Sequence, residues 1–359
     1  MTTGCGILAI SELIVERRGR VGTLTLNRPE AINALTAGMI AAMTDALDAW
    51  RDDDAITTVV LRGAGERGLC AGGDIVAVHR EILAGGSANA DLWRAEYELN
   101  AMIHRYPKHY VAIQDGLVLG GGIGISAHGS IRVVTETSQL GMPETAIGFV
   151  PDVGGTWLLG RAPGELGTHL LLSGETVAAA DAIQVGLADH FIPRGRLDAF
   201  VDALAETAAE SVVHLFAEPP PLGTLRAAVP WVDRAYAADD VPAIVAGLAE
   251  EAAPDAAAAR EQLLRRSPTA LVATLAAVRR ARELPDLESA LDQDYRVSLR
   301  FQHEPDFIEG IRAQVIDKDR RPRWRPAQLA DVDPARVEGF FAPLETELGL
   351  GPLRRGERG

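Results

Sequence analysis

The sequence has few of the residues that mark secreted, metal-binding or membrane proteins. Of its 359 residues only Cys5 and Cys70 are cysteines, and neither stands in a C-x-x-C pattern. We therefore expect no disulfide framework, no metal site and a reducing, cytoplasmic environment. Residues 1–20 have no basic region ahead of their short apolar run, so we expect no cleaved leader. No uncharged apolar run approaches the ~18 residues that a membrane span needs.

Positive charge is also scarce. The chain has 35 basic and 50 acidic residues, which gives a net charge of -15. Such a charge favours solubility and repels nucleic acid. No basic tract and no interleaving of basic with aromatic residues indicates a nucleic-acid site. A hydrophobic fraction of 47% and a charged fraction of 24% are ordinary for a globular protein with a sizeable core.

The first half of the chain alternates strand-like and helix-like segments. Period-two or continuous apolar patterns predict strands, and helical spacing of apolar residues predicts helices between them. The predicted strands are 21–29, 56–65, 109–119 and 131–137, and the predicted helices are 34–53, 75–85 and 123–129. This alternation is typical of an α/β fold with a largely parallel sheet.

The composition changes near residue 176. Ala-rich helices are predicted over 176–193 and 197–218, and "EPPPLGT" (218–224) is punctuated like a linker. Helical patterns then continue to the end. We therefore expect a core over residues 11–200 and a C-terminal helical region over 201–359.

Two glycine-rich loops have the design of an anion site. A strand precedes Gly73, and Asp74 is the predicted N-cap of the helix that follows. A second strand precedes the triplet that contains Gly121, and another short helix follows. Glycine lets the backbone approach a ligand closely, and free N–H groups at a helix start carry partial positive charge. Two such groups at one point would form an oxyanion hole, although each loop alone is equally compatible with a tight turn.

Other features of these loops leave alternatives open. Residues 122–127 match G-x-G-x-x-A, a dinucleotide fingerprint, and Glu144 follows some twenty residues later. Against this, two β-rich units precede the match, whereas the fingerprint belongs to the first βαβ unit. Cys70, with His79 on the next helix, is a conceivable thiol nucleophile, but a small buried hydrophobe is the commoner fate of such a cysteine.

The segment "MPETAIGFVPDVGGTWLLGR" (142–161) contains Glu144 and Asp152, each directly after a proline. Its other residues are mostly apolar, glycine or proline, so the segment is expected to be buried. Apolar surroundings would raise the pKa of both carboxyls towards the range useful in catalysis. The structural alternative is that Glu144 caps a turn or helix and that Asp152 is an ordinary turn residue.

These segments resemble the crotonase superfamily of enoyl-CoA hydratases and isomerases. Similar to its signature segments are "LNRPEAINAL" (26–35), "CAGGDI" (70–75) and "LGGGIGIS" (119–126). The length and three other segments resemble the 3-hydroxyisobutyryl-CoA hydrolases within it more closely. These segments are "RAEYELN" (94–100), "MPETAIGFVPDVGG" (142–155) and "DFIEGIRAQVIDKDRRPRWRP" (306–326).

The resemblance implies a ββα spiral core that binds an acyl-CoA thioester, followed by the C-terminal helical region. It implies that the oxyanion-hole donors are the backbone N–H groups of Gly73 and Gly121. Glu144 matches the catalytic glutamate, Asp152 the second carboxylate of the hydrolases, and Glu96 a substrate-contacting acid. No cofactor is implied, because coenzyme A is part of the substrate. The protein would be a homo-oligomer, such as a trimer, or a monomer.

One position departs from the hydratases, which carry a glutamate in the pattern G-G-G-x-E where this chain has Gly124. Hydration in that family is understood to use two glutamates, so the departure favours hydrolysis of a 3-hydroxyacyl-CoA, most of all 3-hydroxyisobutyryl-CoA in valine breakdown. Enoyl-CoA isomerisation or hydration, with Glu144 moving a proton at carbon, is the main alternative. RNA binding, known in some crotonase relatives, is disfavoured by the charge, and a dinucleotide-dependent oxidoreductase rests only on the fingerprint.

Two further charged features have a functional and a structural interpretation. Glu96 could contact substrate or be a solvated helix acid. A late basic cluster could meet the phosphates of coenzyme A, although a solvated surface with packed alkyl stems is commoner. We define this basic cluster as Arg312, Lys318, Arg320, Arg321, Arg323 and Arg325.

Overall fold

The structure is a computed structural model that describes residues 12–350. Residues 1–11 and 351–359 lie outside the described residues. They include Cys5, part of the segment 1–20 in which no cleaved leader is expected, and the last nine residues of the predicted C-terminal helical region. The strands are β1 Leu13–Arg18, β2 Val21–Leu26, β3 Thr58–Gly63, β4 His109–Gln114, β5 Leu117–Leu119, β6 Ile131–Val134, β7 Gln139–Gly141, β8 Thr176–Val177 and β9 His190–Phe191.

A six-stranded sheet in the order β1-β2-β3-β4-β6-β9 is the centre of the fold. Its strands run parallel from β2 onward, and only β1 pairs antiparallel at the edge. The middle strands β3 and β4 are buried on both faces, as is usual for parallel strands covered by helices. A small sheet, β5-β7-β8, lies beside the second glycine loop. The predicted α/β fold with a largely parallel sheet is confirmed.

Amphipathic helices pack on this sheet. Helix α1, for example, starts at Thr36, whose hydroxyl accepts a hydrogen bond from Met39 N, and buries Met39, Ile40 and Met43. The helices up to residue 204 are α1 Ala37–Arg51, α2 Ile75–Leu83, α3 Ala88–His104, α4 Gly121–Ser126, α5 Gly155–Gly160, α6 Leu166–Ser173, α7 Ala179–Gln184 and α8 Leu197–Leu204.

Helices then follow to the end of the described chain. They are α9 Ala209–Phe216, α10 Leu225–Ala235, α11 Val241–Glu250, α12 Pro254–Leu263, α13 Pro268–Glu283, α14 Leu287–Phe301, α15 Pro305–Ile311 and α16 Pro334–Gly339. A π-helical turn, Arg312–Ile316, continues α15. Helix α13 packs on α5, and α14 packs on α3, so that the later helices cover one side of the core. None of the helices in residues 12–350 is long and apolar enough to cross a membrane.

The boundary predicted at residue 201 falls inside α8, and one hydrophobic core contains residues from both sides of it. The division into two regions therefore stays a prediction. Local structure differs from the sequence predictions in several places. The helix predicted over 197–218 is divided into α8 and α9 by residues 205–208. The edge strand β1 is not predicted, because five residues of "LIVERR" are exposed and show no alternation. The Ala-rich helix predicted over 176–193 is wrong at both ends, where pairing of β8 with β7 and of β9 with β6 overrides helix propensity.

Candidate active site

One cavity contains every site residue that the sequence predicts. Its volume is about 320 Å³, and both glycine loops, α2, α3, α15 and residues 143–153 line it. Glu96, Glu144 and Asp152 line it together with Gly73 and Gly121. Its other walls are largely apolar and include Ile75, Val78, Leu92, Trp93, Leu119, Ile147, Phe149, Val153, Phe307 and Val315.

The first glycine loop leaves one amide group free. Leu35 N donates to Gly72 O, and Asp74 N donates to Leu35 O, both at 2.8 Å. These bonds hold the two neighbours of Gly73, whose own N–H has no hydrogen-bond acceptor within the described chain. The N-cap prediction for Asp74 is confirmed, because its Oδ1 accepts from Ala77 N at 3.2 Å.

The second loop brings another amide group beside the first. Gly120, with a φ of 49°, turns the chain into α4, so Gly121 N lies in the first turn, where helices leave N–H groups unpaired. A Cβ placed on Gly121 would lie 3.4 Å from Gly73 N and 2.5 Å from Glu96 Oε1. A side chain at this position would therefore push the Glu96 carboxyl aside and crowd Gly73 N. Two unpaired N–H groups side by side are the arrangement that stabilises an oxyanion.

Glu144 begins the 3-10 turn Glu144–Ile147 and lies beside the second loop, because a Cβ on Gly120 would come within 2.6 Å of its Oε1. The side chain is buried, and its Oε2 has no hydrogen-bond partner among the described residues. Burial first, and then the charge of Asp152, raise the pKa of Glu144 well above its usual value. The carboxyl is thereby moved towards the range of an effective general base.

Asp152 is buried in the same cavity and has a fixed partner. Tyr97 OH donates to Asp152 Oδ2 at 2.6 Å. Ser298 Oγ lies 2.7 Å from the same tyrosine oxygen, and it must be the donor because the tyrosine proton is used on Asp152. Burial raises the pKa of Asp152 to about 6, and the tyrosine hydrogen bond opposes that rise.

Glu96 projects from α3 into the same cavity. It is 5% exposed, and its Oε1 is another buried oxygen that lacks a partner in residues 12–350. The alternative that it is a solvated helix acid is therefore wrong. Burial and the charge of Asp152 raise the pKa of Glu96 to about 8. Three carboxyls in one low-dielectric cavity cannot all be ionised at little cost, so they titrate as a coupled group.

Cys70 is not a reactive thiol. It is fully buried, and burial raises its pKa to about 12, so that the thiolate is inaccessible at physiological pH. Residues 122–127 do not form an exposed dinucleotide-binding turn, because Gly122 and Gly124 are buried inside α4. No group of three or more histidine, cysteine or acidic residues in the described ranges is arranged to hold a metal ion.

The basic cluster starts at the edge of the cavity. Gln314 and Val315 in the π-helical turn line the cavity, and Lys318 follows three residues later. Arg312 is engaged in ion pairs with Glu309, Asp317 and Asp319. The exposed members of the cluster are Lys318, Arg320, Arg321, Arg323 and Arg325. A contact with the phosphates of coenzyme A stays a prediction.

Sequence reasoning missed four buried polar residues around Asp152. They are Tyr97, Ser298, His128 and Asp294. His128 Nε2 lies 2.8 Å from Val153 O, and Asp294 Oδ2 accepts from Gly154 N at 2.9 Å. A usable signal is present on α14, where Asp294 and Ser298 stand four residues apart on the buried face of an otherwise amphipathic helix.

This fold and this pair of glycine loops define an acyl-CoA-binding enzyme of the crotonase type. The chain belongs to the enoyl-CoA hydratase/isomerase family, whose model matches residues 21–341. The match confirms the resemblance drawn from the signature segments. It covers β2 to β9, the cavity and the helices α1 to α16.

Two relatives illustrate where the chain lies within the family. It is 37% identical over 348 residues to "3-hydroxyisobutyryl-CoA hydrolase, mitochondrial" from Danio rerio, which covers 93% of this chain and 90% of that protein. It is 35% identical over 353 residues to "3-hydroxyisobutyryl-CoA hydrolase 1" from Arabidopsis thaliana, which covers 94% of this chain and 93% of that protein.

Solved structures share the fold under other names. A carnitinyl-CoA dehydratase from Mycobacterium thermoresistibile superposes with a TM-score of 0.92 at 48% identity, covering 94% of this chain and 98% of that chain. An enoyl-CoA hydratase from Rhodobacter sphaeroides 2.4.1 superposes with a TM-score of 0.88 at 41% identity, covering 93% and 98%.

Proposed function

We propose that this protein hydrolyses the thioester bond of a 3-hydroxyacyl-CoA, with 3-hydroxyisobutyryl-CoA as its preferred substrate in valine breakdown. The observation that carries the proposal is the pair of buried acids, Glu144 and Asp152, in one cavity with two unpaired glycine N–H groups. The similarity to two named 3-hydroxyisobutyryl-CoA hydrolases over more than nine-tenths of the chain supports it.

The glycine loops polarise the thioester. In the proposed complex the carbonyl oxygen accepts hydrogen bonds from Gly73 N–H and Gly121 N–H. When a nucleophile adds to the carbonyl carbon, the oxygen becomes negative and these bonds strengthen. Removing one such donor typically costs ~100- to 1,000-fold in kcat. The backbone supplies both donors, so no side chain has to reorganise during the reaction.

Glu144 drives attack on the carbonyl carbon by one of two routes. In the first, its carboxylate oxygen bonds to that carbon and the C–S bond breaks, which gives a mixed anhydride and a thiolate that takes a proton from Asp152 or water. Water then cleaves the anhydride and restores the Glu144 carboxylate. In the second, Glu144 takes a proton from water while the water oxygen bonds to the carbonyl carbon; the C–S bond then breaks and the proton passes to the thiolate. Both routes need the ionised carboxylate, and both end with the free acid and coenzyme A.

Asp152 and Glu96 act on the rest of the substrate. Asp152 hydrogen-bonds the 3-hydroxyl of the acyl group or helps to protonate the leaving thiolate. Glu96, beside Gly121, contacts the acyl portion close to the oxyanion hole. Its raised pKa, about 8, means that it holds its proton at neutral pH and does not repel the developing oxyanion.

The proposal also covers the cofactor requirement, the cellular location and the oligomeric state. We propose that coenzyme A enters as part of the substrate without another cofactor, and that exposed residues of the basic cluster bind its phosphates. We propose a cytoplasmic location from the cysteine usage. The relative from Danio rerio carries "mitochondrial" in its name, so cell fractionation is the appropriate test. Whether the protein is a trimer or a monomer is a question for light scattering.

Hydration or dehydration of an enoyl-CoA is the second candidate function, because two similar solved structures carry such names. Gly124 argues against it. The position offers no carboxylate, and a Cβ there would lie 2.7 Å from Val153 Cβ and 3.0 Å from the Asn100 amide. The cavity therefore cannot take a second glutamate from α4 without rearrangement.

The test is release of free thiol from 3-hydroxyisobutyryl-CoA by the purified protein. Glu144→Gln and Asp152→Asn are each expected to lower kcat by roughly 100-fold or more, in line with the size of acid–base contributions. Glu98→Gln is the matched control, because Glu98 is an exposed acid on the same helix as Glu96. The proposal fails if the wild type releases no coenzyme A or if both cavity variants match it.

A further inference from the structure

The turn that carries Asp152 has an unusual backbone. Gly155 N donates to Asp152 O at 2.7 Å, which closes a four-residue turn over 152–155. Its two central residues both have positive φ, 50° at Val153 and 74° at Gly154. Such angles belong to a type I′ turn, which favours glycine, asparagine or aspartate at both positions. A β-branched residue in this region is a genuine outlier, so Val153 is held there by its surroundings.

Both polar groups of one peptide bond in this turn have a buried side-chain partner. The peptide bond between Val153 and Gly154 presents Val153 C=O on one side and Gly154 N–H on the other. His128 Nε2 lies 2.8 Å from the oxygen, and Asp294 Oδ2 lies 2.9 Å from the nitrogen. A carbonyl only accepts, so the histidine is the Nε2–H tautomer, and burial supports the neutral ring by lowering its pKa to about 4.

The two contacts come from distant parts of the chain. His128 lies just beyond α4, the helix that begins at the second glycine loop, and Asp294 lies on α14. Both residues are buried, so neither is a surface contact that water would replace. A Cβ on Gly154 would lie 2.8 Å from His128 Nε2 and 2.5 Å from Leu287 Cδ1, which leaves only glycine at this point.

We propose that His128 and Asp294 are positioning residues that prevent this peptide group from flipping and so hold Asp152 in the cavity. A flip would exchange the positions of the C=O and N–H groups and change the backbone angles on both sides of the peptide. The Asp152 carboxyl would then move from the Tyr97 hydroxyl. Because neither residue lines the cavity, both act through Asp152. This inference rests on the proposed function, in which Asp152 contacts substrate.

Matched pairs of variants test the two contacts. His128→Gln keeps an N–H donor at nearly the same reach, and His128→Asn is one methylene too short. Asp294→Asn keeps an oxygen acceptor, and Asp294→Ser is too short. Each variant is first checked for a cooperative thermal melt. We expect the short variants to lower kcat for thiol release by roughly 10- to 100-fold, since misplacement by about 1 Å has effects of that size. We expect KM within about threefold of wild type and near-normal kcat for the two longer variants.

A double-mutant cycle separates positioning from general damage. If His128 and Asp294 act through Asp152, their short variants lower kcat by less than a further ~twofold in the Asp152→Asn background, because the carboxylate that they position is already lost. The inference is overturned if the effects of the short variants and of Asp152→Asn on kcat are fully additive. It is also overturned if the folded short variants have the kcat of wild type. Absence of thiol release by the wild type would instead refute the proposed function itself.

The conservative variants cover the case in which neither short variant folds. His128→Gln retains the N–H donor and Asp294→Asn retains the oxygen acceptor, so each keeps its contact with the peptide group. Their kcat should stay within about threefold of wild type. A loss above tenfold in both variants with a normal melt would overturn the inference.

Discussion

The side chain of Val153 fills the space beside Gly124. A Cβ on Gly124 would lie only 2.7 Å from Val153 Cβ, closer than two such atoms approach in folded proteins. The left-handed backbone of Val153 turns its side chain towards α4. The missing side chain at position 124 and the strained residue at position 153 are therefore two parts of one packing arrangement beside the acids.

Substitution at Gly124 should disturb both folding and catalysis. Gly124→Ala forces Val153 to shift, and we expect a loss of about 1–3 kcal/mol in the free energy of unfolding, the usual cost of overpacking. Since Asp152 is next to Val153, kcat for thiol release should fall as well. The control is Gly339→Ala, because a Cβ at Gly339 meets nothing within 4 Å. Urea unfolding decides the matter, and equal stability of the two variants would contradict the packing argument.

The pH–rate profile should show an acid limb above the range of an ordinary carboxyl group. In the proposed mechanism Glu144 acts when ionised, and burial and the neighbouring acids raise its pKa well above 4.5. The rate therefore falls as pH drops through that raised pKa. Asp152→Asn removes the charge that, after burial, raises this pKa most, so the limb of kcat/KM should move to lower pH. A limb that stays in place in Asp152→Asn would show that the two carboxyls are not coupled.

Removing a buried acid should stabilise the protein at alkaline pH. The folded protein binds the protons of Glu96, Glu144 and Asp152 more tightly than the unfolded chain does, because burial raises each pKa. Their contribution to stability is complete below the ordinary carboxyl range and is lost as pH rises through the raised values, about 6 for Asp152 and about 8 for Glu96. Glu144→Gln, which cannot ionise, should be more stable than wild type at pH ~8 by on the order of 1 kcal/mol.

The comparison requires a control for the loss of charge alone. Glu98→Gln removes an exposed acid from α3 and so measures the effect of losing one negative charge outside the cavity. Urea unfolding at pH ~5 and pH ~8 gives the difference directly. A Glu144→Gln protein that is less stable than wild type at pH ~8 would mean that the carboxylate makes a stabilising contact in the folded state.

Cys70 should resist alkylation in the folded protein. It is fully buried with a pKa raised to about 12, so iodoacetamide at pH ~8 should leave both this residue and the hydrolysis rate unchanged. Peptide mapping by mass spectrometry distinguishes Cys70 from Cys5, and guanidinium-unfolded protein shows that Cys70 reacts once exposed. Inactivation that parallels modification of Cys70 would support the alternative that Cys70 is a catalytic nucleophile.

Local signals in the sequence were enough to predict much of the fold and the residues of the proposed site. The buried strands, the N-cap at Asp74 and both glycine loops depend on residues close together in sequence, so patterns reveal them. Glu144 and Asp152 stood out because they are acids in an apolar segment.

The supporting residues were not predictable in the same way. Tyr97, His128 and Asp294 meet residues 152–154 across 55, 25 and 140 positions of the chain. Nothing in a linear pattern fixes such contacts, because they follow from how α3, α4 and α14 pack. The short strands β8 and β9 were not predicted for the same reason. They form by pairing with distant strands, although their sequence is Ala-rich and favours a helix.

The central claim is that the cavity hydrolyses a thioester and does not hydrate an enoyl group. The most direct measurement compares kcat/KM of the wild-type protein for thiol release from 3-hydroxyisobutyryl-CoA with kcat/KM for hydration of crotonyl-CoA, under identical conditions. With Gly124 in place of a second glutamate, we predict that thiol release is faster by roughly 100-fold or more, the scale of one lost acid–base group. Hydration as fast as thiol release, or faster, would contradict the account.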